Sequence, residues 1–298
     1  MKYNIFKKSG MKASAVSFGC MSLQSDHKQA ASIIAQAVDS GINLFDTADL
    51  YEKGANETLL GNAIKGRRND ILLSTKVGNR WKNDGSGWDW CPDKKYILSA
   101  VDESLRRLQT DHIDLYLLHG GTIEDPVDEV VEAFEKLKEV GKIRAYGLSS
   151  IRPNVIREYA NRSNIEAVMT QYSFLDRRPE EETLDLLLEN QIGVLARGTV
   201  AGGLLIDKPA KPYLNYSEEE VRDILNQLGH NKPVEMNRQQ TVVQYVLAHP
   251  AVTSAVMGIR TEVQLDQALS AVENSELSAV DYQKLHVATQ ANAYKEHR

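Results

Sequence analysis

Residues 44–61 read LFDTADLYEKGANETLLG, and the order of events within them recurs along the chain. Leu44, Phe45 and Asp46 suit the end of a buried strand. A polar turn follows, and helical character begins near Glu57. Asp46 and Tyr51 are close enough in sequence for both side chains to reach one pocket at the strand's C-terminal mouth. Two later runs repeat the pattern: LLSTKVG ends a strand on Lys76, and DLYLLHG ends one on His119. Working outward, short apolar runs predict eight strands at 15–19, 43–46, 71–76, 114–119, 145–149, 167–171, 193–196 and 254–257. Apolar residues three and four apart predict helices over 29–40, 96–108, 127–140 and 178–190. Gly41, Gly66 and Gly141 stand just past helix ends.

Such alternation gives either a doubly wound sheet or a closed barrel. Polar, reactive residues end many strands rather than gathering at one switch point, which favours the barrel. No G-x-G-x-x-G follows any strand, since Gly85-Ser86-Gly87 runs into Trp88 without a third glycine. The expectation is one (β/α)8 barrel domain over 1–298. Residues 3–6 and 12–16 flank Lys7-Lys8-Ser9-Gly10, a hairpin signal. Two segments interrupt the alternation. One is 78–92, with Trp81, Trp88 and Trp90; the other is 202–232, with Pro209 and Pro212. Both are expected to be long functional loops, the first a wall or lid of a substrate pocket. The alternative for the first is a loop whose tryptophans pack on the barrel's outside.

Composition narrows the function class. A chain of 298 residues with 42% hydrophobic and 26% charged residues is ordinary for a soluble globular protein. Net charge of -6 with a pI near 5.7 argues against a nucleic-acid partner. Two cysteines, Cys20 and Cys91, fit free thiols in a reducing cytoplasm better than a disulfide framework. Lys2, Lys7, Lys8 and Lys12 precede 13–23 as in a signal peptide, but Ser14, Ser17, Gly19 and Ser22 break the apolar centre. No run approaches the roughly 20 apolar residues of a membrane span, so no membrane partner is expected, and no metal site either.

Asp46, Tyr51, Lys76 and His119 make a proton-donor site. Such a site serves a reaction that leaves charge on an oxygen, which must be protonated as it develops. Tyr51 is the candidate acid, because an ammonium beside a phenol stabilises the phenolate and eases proton release. Lys76 supplies that ammonium, and Asp46 holds it charged and oriented. His119, as a neutral imidazole, can hydrogen-bond that oxygen and orient the substrate.

FDTADLYEKGANETLLGNAI, STKVG and LLHG, in this order, resemble the signatures of the aldo-keto reductases, and the resemblance runs from about Phe6 to the helix after Gly258. It implies a (β/α)8 barrel whose N-terminal hairpin plugs the bottom, and NAD(P)H-dependent carbonyl reduction. By the same resemblance Gly19, Cys20, Met21 and Asp46 lie beside the cofactor. Ser149 and Gln171 match the residues that hold the nicotinamide amide, and Ser150 stands where Asn is common. Arg197 replaces an aromatic that stacks on the nicotinamide, leaving stacking and phosphate contact both open. Gly198, Thr199, Val200, Ala201 and Gly203 resemble the loop over the pyrophosphate. Gly258, Ile259, Arg260 and Thr261 would meet the adenosine end, where Arg260 and Thr261 at a helix start suit a 2′-phosphate and point to NADPH. Gln264 and Gln267 face the same way, and Ala268 departs from a frequent Asn.

Met21, Leu50, Tyr51, Trp81 and His119 are the expected substrate walls, apolar enough to favour small aldehydes. Gly78 stands where relatives carry an aromatic, which should open the site or leave Trp81 to close it. The partner is a small carbonyl compound, and the chain a monomer or small homo-oligomer. One alternative is a cofactor-binding regulatory subunit of ion channels, which can retain the same four residues. Another is a Schiff-base lyase using Lys76, which Asp46 disfavours by keeping the amine protonated.

Overall fold

The computed structural model describes residues 1–24, 28–273 and 276–298. Two strands, β1 (Tyr3–Ile5) and β2 (Lys12–Ser14), form the predicted antiparallel hairpin, with Gly10 at φ +73° in its turn. The barrel strands are β3 (Val16–Gly19), β4 (Leu44–Asp46), β5 (Leu72–Val77), β8 (Ile113–Leu118), β9 (Ile143–Ser149), β10 (Ala167–Gln171), β11 (Gly193–Arg197) and β12 (Val252–Gly258). Between β5 and β8 lie β6 (Asn79–Trp81) and β7 (Trp88–Trp90), an antiparallel pair of their own. The eight barrel strands pair in parallel in chain order, and β12 returns to β3 to close the barrel.

Around them run α1 (Ala30–Asp39), α2 (Ala55–Ala63), α3 (Lys94–Leu108), α4 (Val127–Glu139), α5 (Pro153–Arg162), α6 (Thr183–Glu189), α7 (Glu218–Asn231), α8 (Arg238–Leu247), α9 (Glu262–Ser270) and α10 (Ala279–Ala288). Alternation along the strands divides the apolar side chains into two layers. Outward residues such as Phe45, Leu73, Tyr116 and Val168 pack against the helices. Inward ones, including Leu44, Leu72, Leu117 and Leu195, form a second cluster with Phe6, Met11 and Ala13 of the hairpin. The hairpin therefore seals one end of the barrel and leaves the strand C-termini as the working face. Past the ends of α1, α2 and α4, Gly41, Gly66 and Gly141 take φ of +89°, +80° and +76°, the left-handed turn a glycine enters without strain.

Three local expectations are corrected. The helix predicted over 178–190 is split into a 3₁₀ turn at Arg178–Glu181 and α6, because Glu182 leaves the helical region at φ -157°. The segment 78–92 is not an irregular loop but the β6–β7 hairpin. Half of 202–232 is α7, started by a capping box in which Ser217 and Glu220 satisfy each other's backbone N–H groups. Among the described residues no helix is long and apolar enough to cross a membrane.

Candidate active site

Asp46 ends β4 opposite Ser74 of β5, and Lys76 is two residues further along β5 on the same inward face. That register brings Lys76 Nζ to 2.6 Å from Asp46 Oδ2 and to 2.6 Å from the Thr47 carbonyl oxygen. Ser74 donates to the other Asp46 oxygen at 2.9 Å. Lys76 is 1% exposed and Asp46 4%. Burial alone would strip the ammonium of its proton, yet Asp46 and Tyr51 outweigh it and hold Lys76 above the usual lysine range. Burial likewise raises Asp46, against the pull of Lys76 and the Ser74 hydroxyl.

Tyr51 approaches from the β4–α2 turn, its hydroxyl 3.3 Å from Lys76 Nζ. The turn is held from three sides. Tyr51 N–H donates to Ala48, Asp49 N–H to the Lys76 carbonyl at 3.3 Å, and the Trp81 indole to the Leu50 carbonyl at 3.3 Å. It then reverses through Glu52, Lys53 and Gly54 at φ 48°, 56° and 87°. Two non-glycine residues in the left-handed region cost roughly 1–2 kcal/mol each, a strain that persists only where the surroundings impose it. Here Lys53 lies over the Trp81 ring at 5.0 Å. A Cβ on Gly54 would stand 2.6 Å from the Arg107 guanidinium, so only glycine fits.

His119 follows β8, its N–H donating to Val77 at 2.7 Å and its carbonyl accepting from Asn79 at 2.9 Å. Its ring meets Tyr51 edge-on, centroids 5.8 Å apart. Burial, then the charges of Lys76 and Arg197, push its pKa down to about 3, so the imidazole is neutral over the whole physiological range. Its Nδ1 is buried with no protein partner among the described residues. A neutral ring set edge-on to a phenol suits hydrogen bonding to a carbonyl oxygen.

Trp90 fills the space that Gly78 leaves. A Cβ on Gly78, at φ +127°, would come within 2.7 Å of that ring, and Gly120 lies against the same indole. Its N–H is fixed by Asp125 at 2.8 Å. Gly78 thus does not open the site; Trp81 and Trp90 are half-buried, while Trp88 is exposed. Leu50 is half-buried beside them, and Met21, 69% exposed, lies on the rim.

A polar ring continues from β9 to β11. Gln171 donates to the Tyr213 hydroxyl at 3.1 Å and accepts from Arg197 at 3.0 Å. Arg197 also bears electrostatically on Asp46 and His119, so its guanidinium belongs to the strand mouth rather than to the outer loops. Ser149 ends β9 half-buried, and the buried Ser150 hydroxyl accepts from Arg152 N–H at 3.2 Å. After Gly198, at φ +72°, the chain turns through Val200, Ala201, Gly202 and Gly203. The N–H groups of Ala201 and Gly203 are spent inside this turn at 2.8 Å, and the Thr199 hydroxyl on Met257 Sδ at 3.1 Å. Beyond Gly258, Ile259 is fully buried and Arg260 exposed. Thr261 caps α9, and Gln264 folds back to accept from Arg260 N–H at 3.0 Å. Gln267 is exposed, whereas Ala268 is buried in the core with no surface for a ligand. Cys20 is buried beside Gly19, and Gly19 itself abuts the Met257 carbonyl.

Asp46, Tyr51, Lys76 and His119 therefore converge, and Gln171 with Arg197 adjoins them. Sequence reasoning missed Ser74, which period-two spacing from Lys76 could have found. It also missed Tyr213, which only tertiary packing places, and it named Trp90 within the 78–92 wall without its seat against Gly78 and Gly120. The residues fit a nicotinamide cofactor: the Gln171 amide and Arg197 guanidinium present polar groups that could pair with a carboxamide, and the left-handed Gly198 adjoins them.

The sequence profile of the Aldo/keto reductase family matches residues 15–289. An uncharacterised oxidoreductase of Bacillus subtilis, YqkF, is 48% identical over 299 residues, 97% of each chain. The holo form of aldo-keto reductase AKR11C1 from Bacillus halodurans superposes with a TM-score of 0.94 at 48% identity, covering 100% of this chain and 99% of that one. An NADH-specific methylglyoxal reductase of Escherichia coli is 29% identical over 273 residues, 83% of each chain.

Proposed function

Since the chain belongs to the aldo/keto reductase family, oxidoreductases acting on carbonyl groups, we propose that it reduces small aldehydes and ketones to alcohols with NADPH, Tyr51 being the proton donor. The observation that carries the reading is the contact of the Tyr51 hydroxyl with a buried, Asp46-paired ammonium. When bound, the cofactor supplies the hydride. The chain's own residues manage the oxygen. His119, neutral, donates to the carbonyl oxygen and orients it. Tyr51 gives that oxygen its proton, and Lys76 stabilises the phenolate that remains. Asp46, with the Thr47 carbonyl, keeps Lys76 charged through the cycle. Gln171, Ser149 and Ser150 would hold the nicotinamide amide, with Arg197 braced beside it.

NADPH rests on Arg260 and Thr261 at the start of α9, where an exposed guanidinium and a helix N-terminus suit a 2′-phosphate. The methylglyoxal reductase among the relatives is NADH-specific by name, so both cofactors belong in the test. The walls formed by Leu50, Trp81 and Trp90 support small apolar or aromatic aldehydes of broad range, and a cytoplasmic setting accords with two unpaired cysteines. The test is a titration of intrinsic tryptophan fluorescence with NADPH and with NADH, then a 340 nm assay against short aldehydes. Tight NADPH binding with aldehyde-dependent oxidation is expected. Tight binding with no turnover on any carbonyl would overturn the reductase reading.

A further inference from the structure

The turn that carries Tyr51 has a second carboxyl that the chemistry above does not use. Asp49 is 8% exposed, and its carboxyl lies among side chains of α2, α3 and β8. Its Oδ1 is buried without a hydrogen-bond partner among the described residues, and the carboxyl is otherwise met by the Tyr96 hydroxyl, 3.5 Å from Oδ2, and by the Leu50 backbone N–H. The groups that face it are Glu57 from α2, Arg107 and Tyr96 from α3, and Tyr116 from β8, with Cys91 and Arg80 beyond Tyr96. Among the described residues the cation that bears on Asp49 is Arg107, and it is committed to Glu57. Arg107 Nε is 2.6 Å from Glu57 Oε2, while its Nη2 donates to Ser104 at 3.2 Å. Glu57 is further satisfied by Thr75 at 2.6 Å. An ionised Asp49 would be a buried anion beside another with no counter-ion of its own.

The backbone of the same residue is structural. Asp49 N–H donates to the Lys76 carbonyl, and the next residues form the strained left-handed reversal. We infer that Asp49 is a positioning residue for Tyr51: as the neutral acid it seats the turn against β5 and α3, and its ionisation unseats that turn. Burial first, then Glu57, with Arg107 opposing, pushes Asp49 up to about 8, so the change falls just above neutrality. The sign follows from linkage. Between the ordinary carboxyl range near 4 and about 8, the folded chain holds a proton that the unfolded chain releases. Stability therefore declines as pH rises through that window. An asparagine of the same shape escapes this decline.

The test compares wild type with Asp49→Asn. In thermal denaturation the variant's advantage should widen by roughly 3–6 °C between pH 5 and pH 8. Amide exchange at Leu50–Gly54 in wild type should quicken relative to the variant between pH 7 and pH 9. The kinetic arm rests on the reductase reading, and uses 4-nitrobenzaldehyde with saturating NADPH. Wild-type kcat should fall about tenfold from pH 7 to pH 9, as one ionisation near 8 dictates, and the variant's by less than about threefold. Equal pH profiles for both proteins would overturn the inference. So would a widening thermal gap with unchanged amide exchange, which would leave Asp49 as a buried acid unconnected to the turn. If wild type reduces no aldehyde at all, the reductase reading fails, and the thermal and exchange measurements still decide the role of Asp49.

Discussion

Lys76 Nζ lies 3.3 Å from the Tyr51 hydroxyl and 2.6 Å from Asp46 Oδ2, so one buried ammonium serves a carboxylate on its fixed side and a phenol on its working side. The two contacts do different things. The Asp46 contact keeps a cation where desolvation opposes one, and under the proposed function the Tyr51 contact applies that cation to proton transfer. Removing either partner therefore has a distinct signature.

Tyr51→Phe deletes the transferable proton and leaves the turn, Lys76 and Asp46 in place. Reduction should fall by about 10²–10⁴-fold, with NADPH affinity within about threefold of wild type. Steady-state kinetics beside a fluorescence titration separates the two. Near-normal turnover would remove Tyr51 from the role of acid.

Asp46→Asn leaves a buried ammonium without its anion. Breaking such a pair costs about 3–5 kcal/mol, and thermal denaturation should show it as a large drop in Tm. The double variant Asp46→Asn with Lys76→Met, which removes the stranded charge as well, should regain part of that stability.

His119 is pushed down to about 3. Its ring should show no titration in NMR between pH 5 and pH 8. Between its ordinary value near 6.5 and about 3 the unfolded chain takes up a proton that the folded one refuses, so stability should fall as pH drops through that window. His119→Gln should lose less stability on acidification than wild type does. A ring that titrates near 6.5 would place it in a wetter environment than the fold provides.

Arg260→Ala tests the choice of cofactor. Loss of one charge-assisted phosphate contact should weaken NADPH by about tenfold and NADH by less than about twofold. Equal losses for both would place the phosphate elsewhere.

Gly78→Ala puts a methyl group 2.7 Å from the Trp90 ring at a φ of +127°. The variant should melt at a lower temperature and show altered tryptophan fluorescence, because the β6–β7 hairpin must shift. An unchanged spectrum would mean that Trp90 is not seated there in solution.

Much of this arrangement is legible in the sequence itself, and the reasons are local. Strand ends such as Leu44–Asp46 and Leu72–Val77 announce themselves by a short apolar run meeting a polar turn. All eight barrel strands fall within two residues of their expected limits. What escaped depends on partners distant in sequence. Trp90 reads as part of a wall or lid over 78–92, and nothing local to it shows that Gly78 and Gly120 form its seat. Tyr213 has no pattern around it that points to Gln171. The capping box at Ser217 was legible, but the prolines before it drew the reading toward a loop. Glu182 breaks its helix through backbone angles that no nearby residue type dictates.

The seam between β12 and β3 has one more consequence. Ser254 Oγ donates to the Ser14 carbonyl, a contact spanning 240 positions, and Ala255 N–H donates to Ala15 beside it. During synthesis the first barrel strand must wait, with one edge unpaired, until nearly the whole chain has emerged. Closure is thus a late event that commits both termini at once, and contacts so distant in sequence slow folding. Destabilising substitutions at this seam should first betray themselves as nascent chain lost to aggregation, before any change in the finished protein's chemistry.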